Sequence, residues 1–214
     1  MEKIRAFDRK SRTISIGCCA PVPLNDIILL LTQKFSGMTI ASELNNDEYL
    51  LNGLRNDFFD LVVLHQKPLD DEMFSVQCGR EKLFLAVPFH HKFASRGGIH
   101  FEDLNGERVL LYSKIGFWYN LCFEEAPNAK FIIQNEREAF KELAEASALL
   151  SFTTDVLMAN GYSQKNCIYK PVLDRKADVI YYCVCKTKKT ARFKNLFDEL
   201  RTRVATHGRT RYCL

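Results

Sequence analysis

The chain has 214 residues, 47% of them hydrophobic, and a formal net charge of +4. That length suits one domain or two small lobes, and so mild a charge excludes a protein built to coat nucleic acid. No apolar run of about 18 residues occurs, which excludes a helical membrane span. The charged N-terminus lacks a signal peptide's apolar stretch, so a cytoplasmic location is expected.

In chain order, residues 1–11 are charged and loosely helical, like the end of a linker helix. Thr13–Cys18 reads as a strand ending beside a tight Cys-Cys-Ala-Pro-Val-Pro connection. A helix begins near Leu24 and runs to Phe35, with Leu24, Ile27, Ile28, Leu31 and Phe35 on one face. Leu29 and Leu30 fall outside that stripe, which marks a helix covered from behind. Strand–loop–helix aims backbone N–H groups at whatever sits above the strand, a geometry suited to gripping a small ligand.

Thr39–Leu44 is a second strand, Asn46–Arg55 a short helix and Asp60–His65 a third strand. The alternation of strand and helix implies a parallel sheet with right-handed crossovers. Glu81–Pro88 is the next strand. After a polar loop come Phe101–Leu104, a strand at Arg108–Tyr112, a helix at Phe117–Glu125 and a strand at Lys130–Gln134. Asn135 and Glu138 approximate a capping box for a helix over 136–147. Then follow a strand at Leu149–Thr153, a short helix at Asp155–Asn160, strands at Ile168–Leu173 and Val179–Lys186, and a closing helix over Thr190–Ala205.

Eight cysteines are present: Cys18, Cys19, Cys78, Cys122, Cys167, Cys183, Cys185 and Cys213. They show neither a C-x-x-C pair nor zinc-type Cys/His spacing. They are read as small core hydrophobes, with a redox role open for Cys18 or Cys19, where a helix entrance favours a thiolate. No metal site and no cofactor are expected. His90 and His91 are read as loop residues rather than ligands, and the lysine-rich run at 186–192 as a solvated helix start.

The order of motifs resembles the effector-binding domain of LysR-type transcriptional regulators over about residues 12–203. The matching stretches are RTISIG before a helix ending in QKF, then ELNNDEYLLNGLRNDFFDLVVL, EKLFLAVPFHHKFA, FEDL, SALLSFTTDVL and YKPVLDRKADVIYYCVCKTKKTARFKNLFDELR. Their ordered spacing carries the likeness. It implies an α/β fold like that of type 2 periplasmic binding proteins: two Rossmann-like subdomains joined by a two-strand hinge, with an effector in the cleft. The expected division is 12–87 with 173–206 as subdomain I and 88–172 as subdomain II, with 207–214 a frayed tail. His91-Lys92, Ser147-Ala148-Leu149 and the Cys-Cys-Ala-Pro turn depart from the family pattern close to that cleft.

Ligand contacts are expected at loops following the C-terminal ends of strands. In subdomain I these are Cys19, Ala20, Pro21, Asn45, Asn46 and Asp47. In subdomain II they are Ser113, Phe117, Trp118, Asn135, Glu136, Arg137, Thr153 and Thr154. Each has a plainer reading that ranks ahead of the ligand role: Asn46 as a helix cap, Phe117 and Trp118 as core aromatics, and Arg137 as a solvated helix residue, with pairing to a carboxylate effector the alternative. The resemblance implies a small-molecule effector such as an organic acid or amino acid. It also implies a homodimer, or a tetramer in the full-length protein, with the sensor domains side by side and antiparallel. Helix 24–35, through Ile28, Leu29 and Leu30, is the expected one half of that pairing, and helix 136–147 of the second copy the other. DNA would be read by an N-terminal winged helix-turn-helix outside these residues. The other readings are a transport-type solute-binding protein and an enzyme on a similar two-lobed fold, for which no convergent acid–base or nucleophile set is evident.

Overall fold

The computed structural model describes residues 12–207. The expected linker remnant over 1–11 lies outside the described residues, as does the tail beyond 207. The described chain divides into two units, one formed by 12–79 and 180–207, the other by 80–179.

The first unit contains β1 (Thr13–Cys18), β2 (Thr39–Leu44) and β3 (Leu61–Leu64), joined by α1 (Pro21–Lys34) and α2 (Asp47–Arg55). β1 pairs in parallel with both β2 and β3, as strand–helix–strand connections require. All four residues of β3 are buried, which is why its sequence shows no alternation. β4 (Met73–Pro88) and β9 (Asp178–Lys186) each run through a junction between the units. β9 pairs antiparallel with β3 through residues 182–184.

The second unit holds β5 (Arg108–Tyr112), α3 (Phe117–Glu125), β6 (Lys130–Gln134), α4 (Arg137–Ala146), β7 (Leu150–Thr154), α5 (Asp155–Ala159) and β8 (Cys167–Pro171). β5 is parallel to β6 and β7, and β4 pairs antiparallel with β7 and β8. Leu110 on β5 packs with Phe140 and Ala144 on α4. α6 (Lys194–His207) closes the first unit and packs on α1.

Several expectations need correction. The closing helix begins at Lys194 rather than Thr190. The lysine-rich run over 186–192 is not a solvated helix start: Lys186 ends β9, Thr187–Lys189 is a 3-10 turn, and Lys186 and Lys189 pair with Asp57. β4 is twice as long as the strand read at 81–88. Its first half, MFSVQCGR, buries only scattered positions and carries no apolar run. α1 starts at Pro21 rather than near Leu24, because proline is tolerated where a helix N–H has no partner. The buried stripe is Pro23, Leu24, Ile27, Leu30 and Leu31. Leu30, expected on the outer face, lies three residues after Ile27 on the same face and is 1% exposed, whereas Leu29 is 42% exposed. The Asn135/Glu138 capping box does not form, since Glu136 is the N-cap of α4 and makes no side-chain cap bond.

Candidate functional site

Three loops leave the C-terminal ends of the parallel strands of the first unit. Cys19 follows β1, the Asn45-Asn46-Asp47 turn follows β2, and His65 follows β3. Backbone bonds fix the loops against each other. The Cys19 amide donates to the Val63 carbonyl at 3.0 Å and the Asn45 amide to the Cys18 carbonyl at 3.0 Å. Asn46 is the N-cap of α2, its side chain accepting from the Tyr49 amide. That cap fixes Asp47 in the first helical turn, where a carboxylate is favoured by the helix dipole.

The result is a convergence that linear spacing conceals. Cys19 Sγ, an oxygen of Asp47 and a ring nitrogen of His65 all lie within 4.8 Å of one another. His65 Nδ1 approaches Asp47 Oδ2 at 3.0 Å. Both Asp47 oxygens are buried and accept no aligned hydrogen bond. Cys19 is fully buried, while the Asp47 and His65 side chains are 22% and 25% exposed. Burial pushes the Cys19 thiol well above its ordinary pKa, and the neighbouring Cys18 adds to the effect. A thiolate favoured by the helix entrance is thus not what the fold provides: desolvation outweighs the helix terminus. Burial likewise raises Cys122 to about 12 and Cys185 to about 11, so these thiols are inert core groups.

The start of α1 offers fewer donors than a strand–loop–helix turn usually does. Ala20 is its N-cap and makes no side-chain cap bond, and Pro21 and Pro23 have no N–H to give. Ala20 is buried and Pro21 half-buried. This turn therefore presents fewer backbone donors than the sequence pattern suggests.

In the second unit, Ser113, Asn135 and Thr154 stand at or just after the C-terminal ends of β5, β6 and β7. The Ser113 amide donates to the Gln134 carbonyl at 2.9 Å. Thr154 caps α5 by accepting from the Leu157 amide, and Thr153 is 2% exposed with its hydroxyl buried and without a hydrogen bond. Asn135, Glu136 and Arg137 are exposed, and Glu136 lies 3.6 Å from Lys114. Phe117 is half-buried against Trp118. Trp118 is 3% exposed, and its indole N–H donates to Glu81 Oε2. His91 takes its Nδ1 to the Phe93 amide and its Nε2 to Glu107, the work of a loop residue.

Sequence reasoning placed Cys19 and Asp47 at strand ends but not beside each other, and it passed over His65. The signal available was positional: His65 is the first residue after the third strand of a parallel sheet, where ligands gather.

Two α/β units, each with parallel strands and linked by two long strands, define the class of type 2 periplasmic-binding-protein-like folds. Residues 8–205 match the family described as LysR substrate binding domain. The chain belongs to that family. It is 27% identical over 100 residues to the uncharacterized HTH-type transcriptional regulator YybE of Bacillus subtilis (strain 168), a match covering 47% of this chain and 34% of that protein. The chain thus spans about a third of the length of this curated relative.

Similar solved structures include the BenM effector-binding domain with its effector benzoate, at TM-score 0.66 and 20% identity, covering 92% of this chain and 93% of that one. The reduced OxyR regulatory domain from Pseudomonas aeruginosa aligns at TM-score 0.66 and 14% identity, covering 89% and 97%. Full-length BenM aligns at TM-score 0.69 and 21% identity, covering 98% of this chain and 76% of that one. Among the described residues no helix is long and apolar enough to cross a membrane.

Proposed function

We propose that this chain is the effector-sensing and pairing part of a LysR-type transcriptional regulator. It takes a small molecule at the C-terminal strand ends, pairs with a second copy through α1, and modulates DNA binding by a helix-turn-helix in the complete regulator. The observation that carries the sensing reading is the convergence of Cys19, Asp47 and His65 from three successive strand ends. Ligands of open α/β sheets bind at that end. In the first unit Asn45 and Asn46, beside Asp47, are further proposed contacts; the second unit, taken by itself, offers Ser113, Asn135 to Arg137, Thr153 and Thr154 at its own strand ends.

The BenM domain solved with benzoate supports a small-molecule ligand on this fold. Organic acids and amino acids are the classes to try first. Membership of a regulator family supports a sensor rather than an enzyme, acting in the cytoplasm where its DNA would be.

A thermal-shift screen of organic acids, amino acids and divalent cations tests the reading. A ligand at about a hundred times its dissociation constant adds about 2.7 kcal/mol. That is a rise of roughly 5–10 °C for a protein of this size. The same ligand is then expected to change the affinity of the complete regulator for its promoter DNA. A screen with no stabilising ligand, or a ligand that leaves DNA affinity unchanged, counts against the reading.

A further inference from the structure

We infer that Cys19, Asp47 and His65 form a binding site for a borderline-soft divalent cation of the zinc class. The inference deepens the sensing reading and rests on it for its regulatory meaning, while the site itself stands on geometry.

The three donor atoms lie within 4.8 Å of one another. Ligands on a tetrahedral zinc, bonded at about 2.0–2.3 Å, stand about 3.5 Å apart. Closing the cluster onto an ion therefore needs side-chain adjustment rather than backbone movement. The loops that carry Cys19 and Asn45 are already tied to the strands by backbone bonds. Asp47 is held by the capped first turn of α2.

The donor chemistry selects the ion. A thiolate and an imidazole beside one carboxylate suit zinc or a neighbouring transition metal, whereas magnesium and calcium take oxygen ligands. The buried Asp47 oxygens, which accept no aligned hydrogen bond, would gain a positive partner in the ion. Partial exposure of Asp47 and His65 leaves a route of entry. Three protein ligands leave the fourth tetrahedral position to water or to a small anionic ligand, the arrangement of an open zinc site. On binding, the Cys19 S–H bond is replaced by an S–metal bond and the proton leaves to solvent.

The test uses the purified chain with Co2+ and Zn2+ as probes. One equivalent of Co2+ is expected to produce a thiolate-to-cobalt charge-transfer band, and Zn2+ to displace it. Cys19→Ser should abolish the band. Asp47→Asn and His65→Gln, which preserve shape, should each weaken Zn2+ binding by more than the 10- to 100-fold typical of losing a second-layer partner. Cys167→Ser, in the second unit, should leave band and affinity unchanged, and circular dichroism reports whether each variant is folded. Absence of the band, or a folded Cys19→Ser, Asp47→Asn or His65→Gln variant that binds as the parent does, overturns the site. If an organic acid stabilises the chain while both metals leave it unchanged, the ion site falls and the sensing reading stands. If Zn2+ binds through these residues without altering DNA affinity of the complete regulator, the site stands and its regulatory meaning falls.

Discussion

Trp118 on α3 donates its indole N–H to Glu81 on β4 at 3.1 Å, and both side chains are buried, at 3% and 1% exposure. A long-range polar contact in a core is sensitive to removal of either partner, because the group left behind has already lost its water. Trp118→Phe is expected to cost about 1–3 kcal/mol. The loss of ring volume adds to that cost. Glu81→Ala should fall in the same range. A double-mutant cycle should show the two costs to be non-additive by about 0.5–3 kcal/mol, the range for side chains in contact. Urea unfolding followed by circular dichroism measures all four proteins. In the parent, Trp118 is the sole tryptophan, so its fluorescence reports on the second unit alone. Strict additivity would mean that the contact contributes nothing.

Phe59 packs between two glycines of the first unit. A Cβ built on Gly53 of α2 would sit 2.6 Å from two ring atoms of Phe59. One built on Gly17 of β1 would sit 3.2 Å from the ring and 2.3 Å from a methyl of buried Leu50. In an open helix Gly→Ala stabilises by about 1 kcal/mol. Here the rigid ring cannot yield cheaply, and overpacking of about 1–3 kcal/mol outweighs the gain. Gly53→Ala is thus expected to destabilise, and Gly53→Ala with Phe59→Leu to recover part of the loss. A lower urea midpoint for the single variant, partly restored in the double, is the expected pattern.

Asp57 follows the C-cap of α2 with φ of +58°, a conformation that asparagine and aspartate tolerate. Its carboxylate pairs with Lys186 at 2.7 Å and Lys189 at 3.2 Å. The hydrogen bond from Lys186, with Lys189 behind it, holds its pKa down at about 2, opposed by desolvation. A depressed carboxylate contributes stability in full above its unfolded pKa of about 3.9. The contribution fades as pH falls from about 4 through 2. Because the side chain is 42% exposed, solvent screening limits the contribution to about 1 kcal/mol or less. Asp57→Asn keeps the backbone conformation and removes the charge. The variant should be less stable at neutral pH, and the difference from the parent should shrink as pH falls below about 4 and vanish once it has passed through 2.

The strand–helix alternation was legible because each element of a parallel sheet carries its own pattern. β1, β5 and α3 start and end where their residue patterns change. The first half of β4 was not, because its burial is set by neighbouring strands distant in sequence rather than by a local apolar run. The helix entrance after Cys19 was misplaced because Pro21 and Pro23 read as a loop, yet both fit the first turn. Cys19 and Asp47 were legible one at a time, as residues following strands. Their meeting with His65 depends on the strand order β2-β1-β3, which sets three chain-distant loops side by side.

The face of α1 on which Leu30 lies bears on its use as a pairing surface. Leu30 is three residues after Ile27 and one before Leu31, so it belongs to their buried stripe, and Leu29 is the exposed leucine on the outer side. A charge at Leu30 would unfold the first unit and report nothing about pairing. Leu29→Glu replaces a side chain that is 42% exposed, so its effect on subunit stability should stay within about 0.5 kcal/mol. In a two-fold dimer the substitution appears twice at the interface. The proposal that α1 pairs two copies therefore requires sedimentation to show dimer dissociation strengthened by at least about tenfold, equivalent to about 1.4 kcal/mol. A Leu29→Glu protein with unchanged unfolding and an unchanged dimer would remove α1 from the pairing surface.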